Sequence, residues 1–137
     1  MYDNLKLDTH DEKKIICIKN IIISEDDINI GNPYNSSAIV EVVSGTFCAQ
    51  SQFEFDIKNF QEFIKELGIM YDKLSGRAEL RDVSYGSYLI LEITNRGILK
   101  VSGLLFGDAK EHSLKFIFET DQTALEQIVV ATSKDKD

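Results

Sequence analysis

The sequence predicts an α+β fold, with an antiparallel sheet of about six or seven strands packed with one long central helix and a C-terminal helix. Three patterns predict it. Apolar and polar residues alternate over positions 38–55, as in a β-hairpin with one buried face. Apolar residues then recur every three or four positions over 56–74, as in an amphipathic helix. Alternation returns over 77–118 with short connections, which predicts an antiparallel meander.

The N-terminal third is predicted to hold one or two short strands followed by a loop. Residues 14–23 are rich in isoleucine, whose β-branched side chain suits a pleated sheet. The segment SEDDINIGNPYN, residues 24–35, combines acids, Asn, Gly and the only proline, which are typical of a loop. Residues 1–13 and 132–137 are expected to be poorly ordered.

The hairpin and the helix after it have clear local signals. Asp56 is placed to be the helix N-cap, and Phe55 is placed to pack on Phe60 as a hydrophobic staple. Gly68 costs about 1 kcal/mol relative to Ala and marks a bend or an early end, and Gly76 suits a helix exit. The inward residues of the hairpin are expected to be Ala38, Val40, Val42, Phe47, Ala49, Phe53 and Phe55.

The C-terminal half is predicted to be the meander and a last helix. Its strands begin near Ala78, and a turn is expected at 95–97. The stretch FETDQTALEQI suggests either an acidic catalytic corner or the start of a helix. Because its apolar residues are spaced as in a helix, we interpret Thr120 or Asp121 as an N-cap, where a side-chain oxygen accepts hydrogen bonds from free amides.

Length and cysteine content indicate one domain, residues 1–137, in a reducing compartment. A chain of 137 residues is long enough for a single core. Cys17 and Cys48 lack a CxxC partner and are expected to behave as small hydrophobic residues. The N-terminus is acidic where a signal peptide is basic, and Lys19 and Asn20 interrupt the run IICIKNIII. We therefore expect a cytoplasmic protein without a membrane span.

No motif in the sequence indicates catalysis, a metal or a cofactor. The two histidines, His10 and His112, are expected to be solvated, and GxSxG, HExxH, CxxC and GxGxxG are all missing. The acids at 25–27 lack the ligand alternation of a calcium loop. We therefore expect no enzymatic activity, no metal and no cofactor.

The charge distribution is uneven. The net charge is −8, which makes nucleic acid an unfavourable direct partner. Residues 20–62 contain seven acids and one base, so this segment alone supplies a charge of −6. Such a region is either a solvated face that keeps the protein soluble or a surface that steers a basic partner.

The order of features from Phe53 to Ile128 resembles the WapI-type immunity proteins of bacterial polymorphic toxin systems. The segments that carry the resemblance are FEFDI, the helix NFQEFIKELGIMYDKL, LSGRAEL, LILEITNRGILKVSGLLF and HSLKFIFETDQT before ALEQI. The first 45 residues match less well, because GNPYNSSAI replaces an aromatic and acidic stretch of the family and the chain has no Trp. This departure concerns the identity of the partner more than the fold.

The resemblance implies a cytoplasmic, non-enzymatic protein that binds and neutralises the toxic C-terminal domain of a cognate toxin, in many systems a nuclease. Nuclease toxins are often basic, so an acidic face is a candidate docking surface. The polar side of the long helix is a second candidate, but its mixed charges favour solvation. The candidate toxin-binding residues are Glu25, Asp26, Asp27, Tyr34, Glu54 and Glu62.

Two further questions stay open at this level. The alternative function is a small-ligand-binding or regulatory domain, with a pocket between the helix and the sheet. The protein is expected to be a monomer or a weak homodimer. The resemblance names no residue with a chemical role, because the matching positions are turn, core and cap residues.

Overall fold

A computed structural model describes residues 3–94 and 96–134, with side chains described as far as residue 132. Within these residues the chain forms two antiparallel sheets of four strands each, in which every strand pairs with its neighbours in sequence. The first sheet consists of β1 (Leu5–Lys6), β2 (Lys14–Ile23), β3 (Ser36–Ser44) and β4 (Phe47–Phe55). The second consists of β5 (Gly76–Arg81), β6 (Tyr88–Ile93), β7 (Ile98–Gly107) and β8 (His112–Asp121).

Three α-helices and one 3₁₀ turn complete the described chain. They are α1 (Glu25–Asn29), α2 (Ile57–Lys73), the 3₁₀ turn Gln122–Leu125 and α3 (Glu126–Lys134). The α+β class, the long central helix and the C-terminal helix are thus confirmed. The prediction of one sheet with six or seven strands is wrong, because α2 separates β4 from β5 and these two strands do not pair with each other. Local alternation reveals a strand but not its partner.

The N-terminal segment contributes to the core, although it was expected to be poorly ordered. The two-residue strand β1 pairs with β2, and Leu5 and Leu7 are buried. Residues 1–2 and 135–137, which share that expectation, lie outside the described residues. A strand of two residues is too short to give a periodic signal in the sequence.

Residues 14–23 form one strand with an irregularity near its end. Lys19 pairs with Ile39 and Ile22 pairs with Ser37, so β2 has one residue more than β3 between these two pairs. Asn20 has a φ of 53°, in the left-handed region, which is where the strand departs from regular geometry. As a result Ile21 is buried while Ile22 is 62% exposed.

The predicted hairpin of β3 and β4 is confirmed. Ala38 lies opposite Phe53 and Val42 lies opposite Ala49, and the turn contains Gly45 with a φ of 66°. The expectation that Phe47 points into the core is wrong, since its side chain is 66% exposed. Phe47 is the first residue of β4, directly after the turn of the hairpin.

The helix α2 begins as the sequence predicts. The Oδ1 atom of Asp56 accepts a hydrogen bond from the Lys58 N–H at 3.0 Å, and the rings of Phe55 and Phe60 stack with centroids 5.2 Å apart. The helix is continuous through Gly68. It ends at Leu74, which has a φ of 56°, so the left-handed cap is a leucine rather than the glycine at position 76.

The meander and the last cap are also confirmed. Leu91 of β6 lies opposite Ala78 of β5 on one side and Val101 of β7 on the other. Asp121 is the N-cap, since its carboxylate accepts a hydrogen bond from the Thr123 N–H at 2.9 Å. The first turn after it is 3₁₀ rather than α. Of the expected turn at 95–97, Gly97 has a φ of 71°, and Asn95 lies outside the described residues.

One hydrophobic core joins both sheets to α2 and to the C-terminal helix. The buried side of α2 consists of Ile57, Phe60, Phe63, Ile64, Leu67 and Met70. These side chains pack in a single cluster with buried residues of the sheets, including Phe53 and Phe55 of β4. The region where a ligand pocket was considered is therefore occupied by packed side chains.

Candidate docking surface

Residues 24–35, which we call the acidic segment, connect β2 to β3. They contain a short helix, α1, where the sequence predicted only a loop. In α1 the N-cap is Ser24, whose Oγ accepts a hydrogen bond from the Asp27 N–H at 3.2 Å. Acidic residues fill the first turn, where they meet the partial positive charge of the unpaired amides. Gly31, with a φ of 77°, follows directly after the helix ends. Glu25, Asp26 and Asp27 therefore lie on helical backbone and not in an irregular loop.

Asn35 fixes this segment to the start of α2. Its side chain is buried, with 5% of the residue exposed. The Oδ1 atom accepts hydrogen bonds from the Ile57 N–H at 2.7 Å and from the Ser36 hydroxyl at 2.9 Å. The Nδ2 group donates to the Asn32 carbonyl at 2.9 Å and to Asp56 Oδ1 at 3.3 Å. One amide thus links the end of the acidic segment, the first residue of β3 and the cap of α2.

The same contacts affect the charge state of Asp56. The hydrogen bond from the Lys58 N–H, followed by the one from Asn35, stabilises the carboxylate and lowers the pKa of Asp56 below 3.8. At neutral pH the cap is therefore fully ionised. It adds one more negative charge near the acidic segment.

The end of β4 is fixed from the other side by Asp82, which is 3% exposed. Its Oδ1 atom accepts hydrogen bonds from the Glu54 N–H at 2.9 Å and the Ser84 N–H at 3.2 Å, and Oδ2 accepts one from the Tyr85 N–H at 2.9 Å. The Val83 N–H donates to the Glu54 carbonyl at 2.9 Å. The loop after β5 therefore covers the open edge of β4 at Glu54, and both backbone groups of Glu54 are satisfied.

A cleft of about 290 Å³ lies between the acidic segment and the outer face of the first sheet. Ile22, Ser37 and Glu54 form its floor, in a row across three neighbouring strands. Asp27 and Tyr34 line it from the acidic segment, and Tyr34 is 50% exposed. The cleft thus combines two carboxylates, an aromatic ring and an exposed isoleucine.

The structure brings together three of the six predicted residues, since Asp27, Tyr34 and Glu54 line the same cleft. Glu25 and Asp26 are exposed beside Asp27 in the first turn of α1. Glu62 is exposed on α2 and does not line the cleft. We use the name α1 surface for Ile22, Glu25, Asp26, Asp27, Tyr34 and Glu54.

Three residues that shape this surface were not predicted: Ile22, Asn35 and Asp82. Asn35 gave no local signal for its role, because its partner Ile57 lies 22 positions away in the sequence. Asp82 starts the sequence DVSYG between two strands, and an Asp at the start of such a stretch is a turn signal. Ile22 gave no signal, because its outward orientation depends on the irregularity at Asn20.

The carboxylates of the α1 surface have no cationic partner within the described residues: none of Glu25, Asp26, Asp27 and Glu54 lies within 4 Å of a Lys or Arg nitrogen there. Lys19, on the same face of the sheet, pairs with Glu41 at 2.8 Å. That hydrogen bond is the main reason the pKa of Lys19 is raised. Asp27 accepts one hydrogen bond from Asn32 Nδ2 at 3.3 Å.

The remaining titratable candidates lie apart from this surface. His10 and His112 are largely exposed, and each lies next to an acid, Asp8 at 3.3 Å and Asp108 at 3.5 Å respectively. Cys17 is partly buried, and burial, followed by the charge of Glu41, raises its pKa. Cys48 is exposed, so its expected role as a packed hydrophobic residue is wrong.

In the cleft of the α1 surface the exposed side chains of Ile22 and Tyr34 share the lining with the carboxylates of Asp27 and Glu54. In residues 3–94 and 96–134 no cluster of three or more His, Cys, Asp or Glu side chains is arranged to hold a metal ion. Among the helices of the same residues, none has both the length and the apolar composition needed to cross a membrane. No protein-family model, no curated protein and no solved structure matches this chain.

Proposed function

We propose that this protein is a non-enzymatic immunity protein, which binds the toxic C-terminal domain of a cognate polymorphic toxin through the α1 surface. The observation that supports the proposal is the cleft in which Asp27, Tyr34 and Glu54 meet the exposed Ile22. Ile22, Asp27 and Tyr34 belong to one stretch of the sequence, from the end of β2 to the start of β3. Glu54 joins them from the end of β4, because β4 pairs with β3 beside Ser37.

The composition of the α1 surface suits a protein partner. Protein interfaces combine a small apolar or aromatic centre, which supplies most of the affinity, with a polar rim. Here Ile22 and Tyr34 are 62% and 50% exposed, and the carboxylates of Asp27 and Glu54 line the same cleft. Burying the two apolar side chains against a partner removes their surface from water, which favours association.

The charge of the α1 surface suits a basic partner. Its four carboxylates are not paired with Lys or Arg in the described part of the chain. A partner with clustered Lys and Arg residues supplies the missing cations, so electrostatic attraction increases the rate of encounter. A nuclease holds phosphate groups with such residues, and an acidic protein that covers them blocks access of the nucleic acid.

A direct experiment is co-expression with the toxin domain encoded immediately upstream of this gene. We expect the wild-type protein to restore growth. The triple variant Glu25→Lys, Asp26→Lys and Asp27→Lys should restore growth less well, because it replaces attraction with repulsion. Absence of rescue by the wild-type protein would contradict the immunity role.

A matched control separates local charge from net charge. The variant Glu12→Lys, Asp72→Lys and Glu111→Lys makes the same change in net charge at exposed positions outside the α1 surface. We expect it to restore growth as the wild type does, and circular dichroism should show that both variants fold. Equal rescue by the two triple variants would exclude the α1 surface as the docking site.

A further inference from the structure

We infer that the cleft of the α1 surface accepts one arginine side chain of the partner. That the arginine belongs to a basic protein partner follows from the proposed function. That the group bound is an arginine follows from the side chains that line the cleft. It assigns a specific ligand group to Asp27, Tyr34 and Glu54, which line the cleft together.

The lining of the cleft matches the two parts of an arginine side chain. The charged guanidinium group forms hydrogen bonds with carboxylates and stacks on aromatic rings, and the three methylene groups pack on apolar surface. Glu54 and Asp27 supply the carboxylates, and Tyr34 supplies the ring. Ile22, directly across β3 from Glu54, supplies the apolar contact, because Ile22 and Glu54 both lie opposite Ser37.

The two carboxylates have unused hydrogen-bonding capacity. Asp27 accepts a side-chain hydrogen bond at Oδ1 from Asn32, and its Oδ2 has no hydrogen-bond partner in the described part of the chain. The carboxylate of Glu54 accepts none from residues 3–94 and 96–134, although its backbone is bonded on both sides. The guanidinium group of arginine is planar and has five N–H donors, so it can form hydrogen bonds with the carboxylates of both Asp27 and Glu54.

The two walls of the cleft are held in place before any ligand binds. Asn35 fixes the wall that carries Tyr34, and the Tyr34 N–H also donates to Asn32 Oδ1 at 3.0 Å. Asp82 fixes the wall that carries Glu54. These hydrogen bonds reduce the entropic cost of ordering the backbone around a ligand.

The chain offers no cation of its own for this position within the described residues. Lys19 is paired with Glu41, and Lys58 is exposed on the first turn of α2. A divalent metal ion is a poorer match, because no cluster of three ligating side chains is present in the part of the chain that the structure describes. Arginine is thus the occupant that fits both the charge and the apolar lining.

The test uses the full-length protein and a small probe. The amide signals of the ¹⁵N-labelled protein are followed by nuclear magnetic resonance during titration with N-acetyl-arginine methylamide. The matched probe is the citrulline analogue, which has nearly the same shape but no charge. We expect shifts at Ile22, Tyr34, Ser37 and Glu54, and about fivefold weaker binding of citrulline. Added NaCl should weaken the arginine interaction.

Variants identify the position of the probe. Glu54→Gln and Asp27→Asn should each weaken arginine binding about fivefold, because each removes one charge-assisted hydrogen bond. Glu62→Gln should leave binding unchanged, since Glu62 lies outside the cleft. Equal binding of citrulline and arginine, or an equal effect of Glu62→Gln and Glu54→Gln, would overturn the inference. Calcium binding that produces the same shifts and excludes arginine would overturn it as well.

The result can be separated from that of the co-expression experiment, because the probe contains no toxin. Rescue of growth without arginine binding would overturn the arginine cleft and leave the immunity role intact. Arginine binding in the cleft without rescue would overturn the immunity role and leave the cleft as a site for a basic protein of another kind.

Discussion

The outer face of the second sheet and the α1 surface differ in how their charged residues are arranged. Acids and bases alternate on the sheet, whereas the α1 surface carries acids only. On the sheet, Arg77, Glu92, Lys100 and Glu119 lie directly opposite one another across four strands, with alternating sign. We call this the charge row. Glu79 lies near the row and contacts two arginines, Arg77 at 3.2 Å and Arg81. On the α1 surface the acids have no such partners among the described residues.

This difference shows that the acids of the α1 surface contribute to the net charge of −8 without a Lys or Arg partner among the described residues. Opposite charges on neighbouring strands each contribute a few tenths of a kcal/mol to sheet stability. Unpaired acids in one small region repel each other weakly and favour whatever cation approaches. Substitutions in the two regions should therefore affect different measurements, namely stability in one and binding in the other.

The largest expected effect comes from the residue that supports the α1 surface. Asn35→Ala should lower the free energy of unfolding by about 2–4 kcal/mol, because the buried Ile57 N–H and other groups lose their partners. Urea denaturation measures it. The control is Asn29→Ala, at an exposed position, which should change stability by less than about 0.5 kcal/mol. Similar free energies of unfolding for Asn35→Ala and Asn29→Ala would mean that the hydrogen bonds of Asn35 do not hold residues 24–35 against the start of α2.

A smaller loss is expected at the opposite wall of the cleft. Asp82→Ala should cost about 1–3 kcal/mol, since three backbone N–H groups lose their acceptor. Asp82→Asn keeps an oxygen acceptor and should lose less. Chemical denaturation of the two variants, with the exposed Asp72→Ala as control, distinguishes them. An equal loss for Ala and Asn would show that hydrogen bonding is not the cause.

The two helix caps, Asp56 and Asp121, should make the protein less stable in acid than at neutral pH. Hydrogen bonds from backbone amides lower the folded pKa of Asp56 and Asp121 below 3.8. The stabilisation is therefore complete only well above the ordinary pKa of an aspartate, and it is lost as the pH falls through the lower pKa values of the folded state. Asp56→Asn and Asp121→Asn still provide caps, so their melting temperatures should depend less on pH in this window. Asp72→Asn should melt with the same pH dependence as the wild type.

The smallest expected changes in stability test the difference between the charge row and the α1 surface. Glu79→Gln should cost about 0.5 kcal/mol at low salt and less at high salt, because it removes a partner of two arginines. Glu54→Gln should leave stability unchanged within about 0.5 kcal/mol, or raise it slightly, while it weakens arginine binding. Denaturation at two salt concentrations measures both. A larger loss of stability for Glu54→Gln than for Glu79→Gln would refute the distinction between the regions.

The fold was predictable where the signal is local. The staple of Phe55 on Phe60 and the caps at Asp56 and Asp121 depend on neighbours in sequence, and all three are confirmed. The division into two sheets was not predictable, because alternation does not tell whether β4 pairs with β5. The exposure of Phe47 depends on what covers the end of the hairpin, which is also a matter of tertiary structure.

The candidate site was predictable in part. The acids at 25–27, Tyr34 and Glu54 were found because charge and an aromatic residue stand out in a polar segment and at a strand end. The roles of Asn35 and Asp82 depend on partners 22 and 28 positions away, Ile57 and Glu54 respectively, which no local pattern contains. Glu62 is predicted only if the hairpin and the start of the helix share an edge, and in the structure it is exposed on α2 and does not line the cleft.

The extra residue in β2 makes the lining of the cleft sensitive to the length of this strand. With regular pairing, position 21 would lie opposite Ser37 and would face outwards, and Ile22 would not reach the cleft. A single insertion or deletion at this point therefore exchanges the side chain that lines the cleft and keeps the hydrogen-bonded order of the strands. A change of length by one residue can thus alter the chemistry of the cleft without rebuilding the sheet.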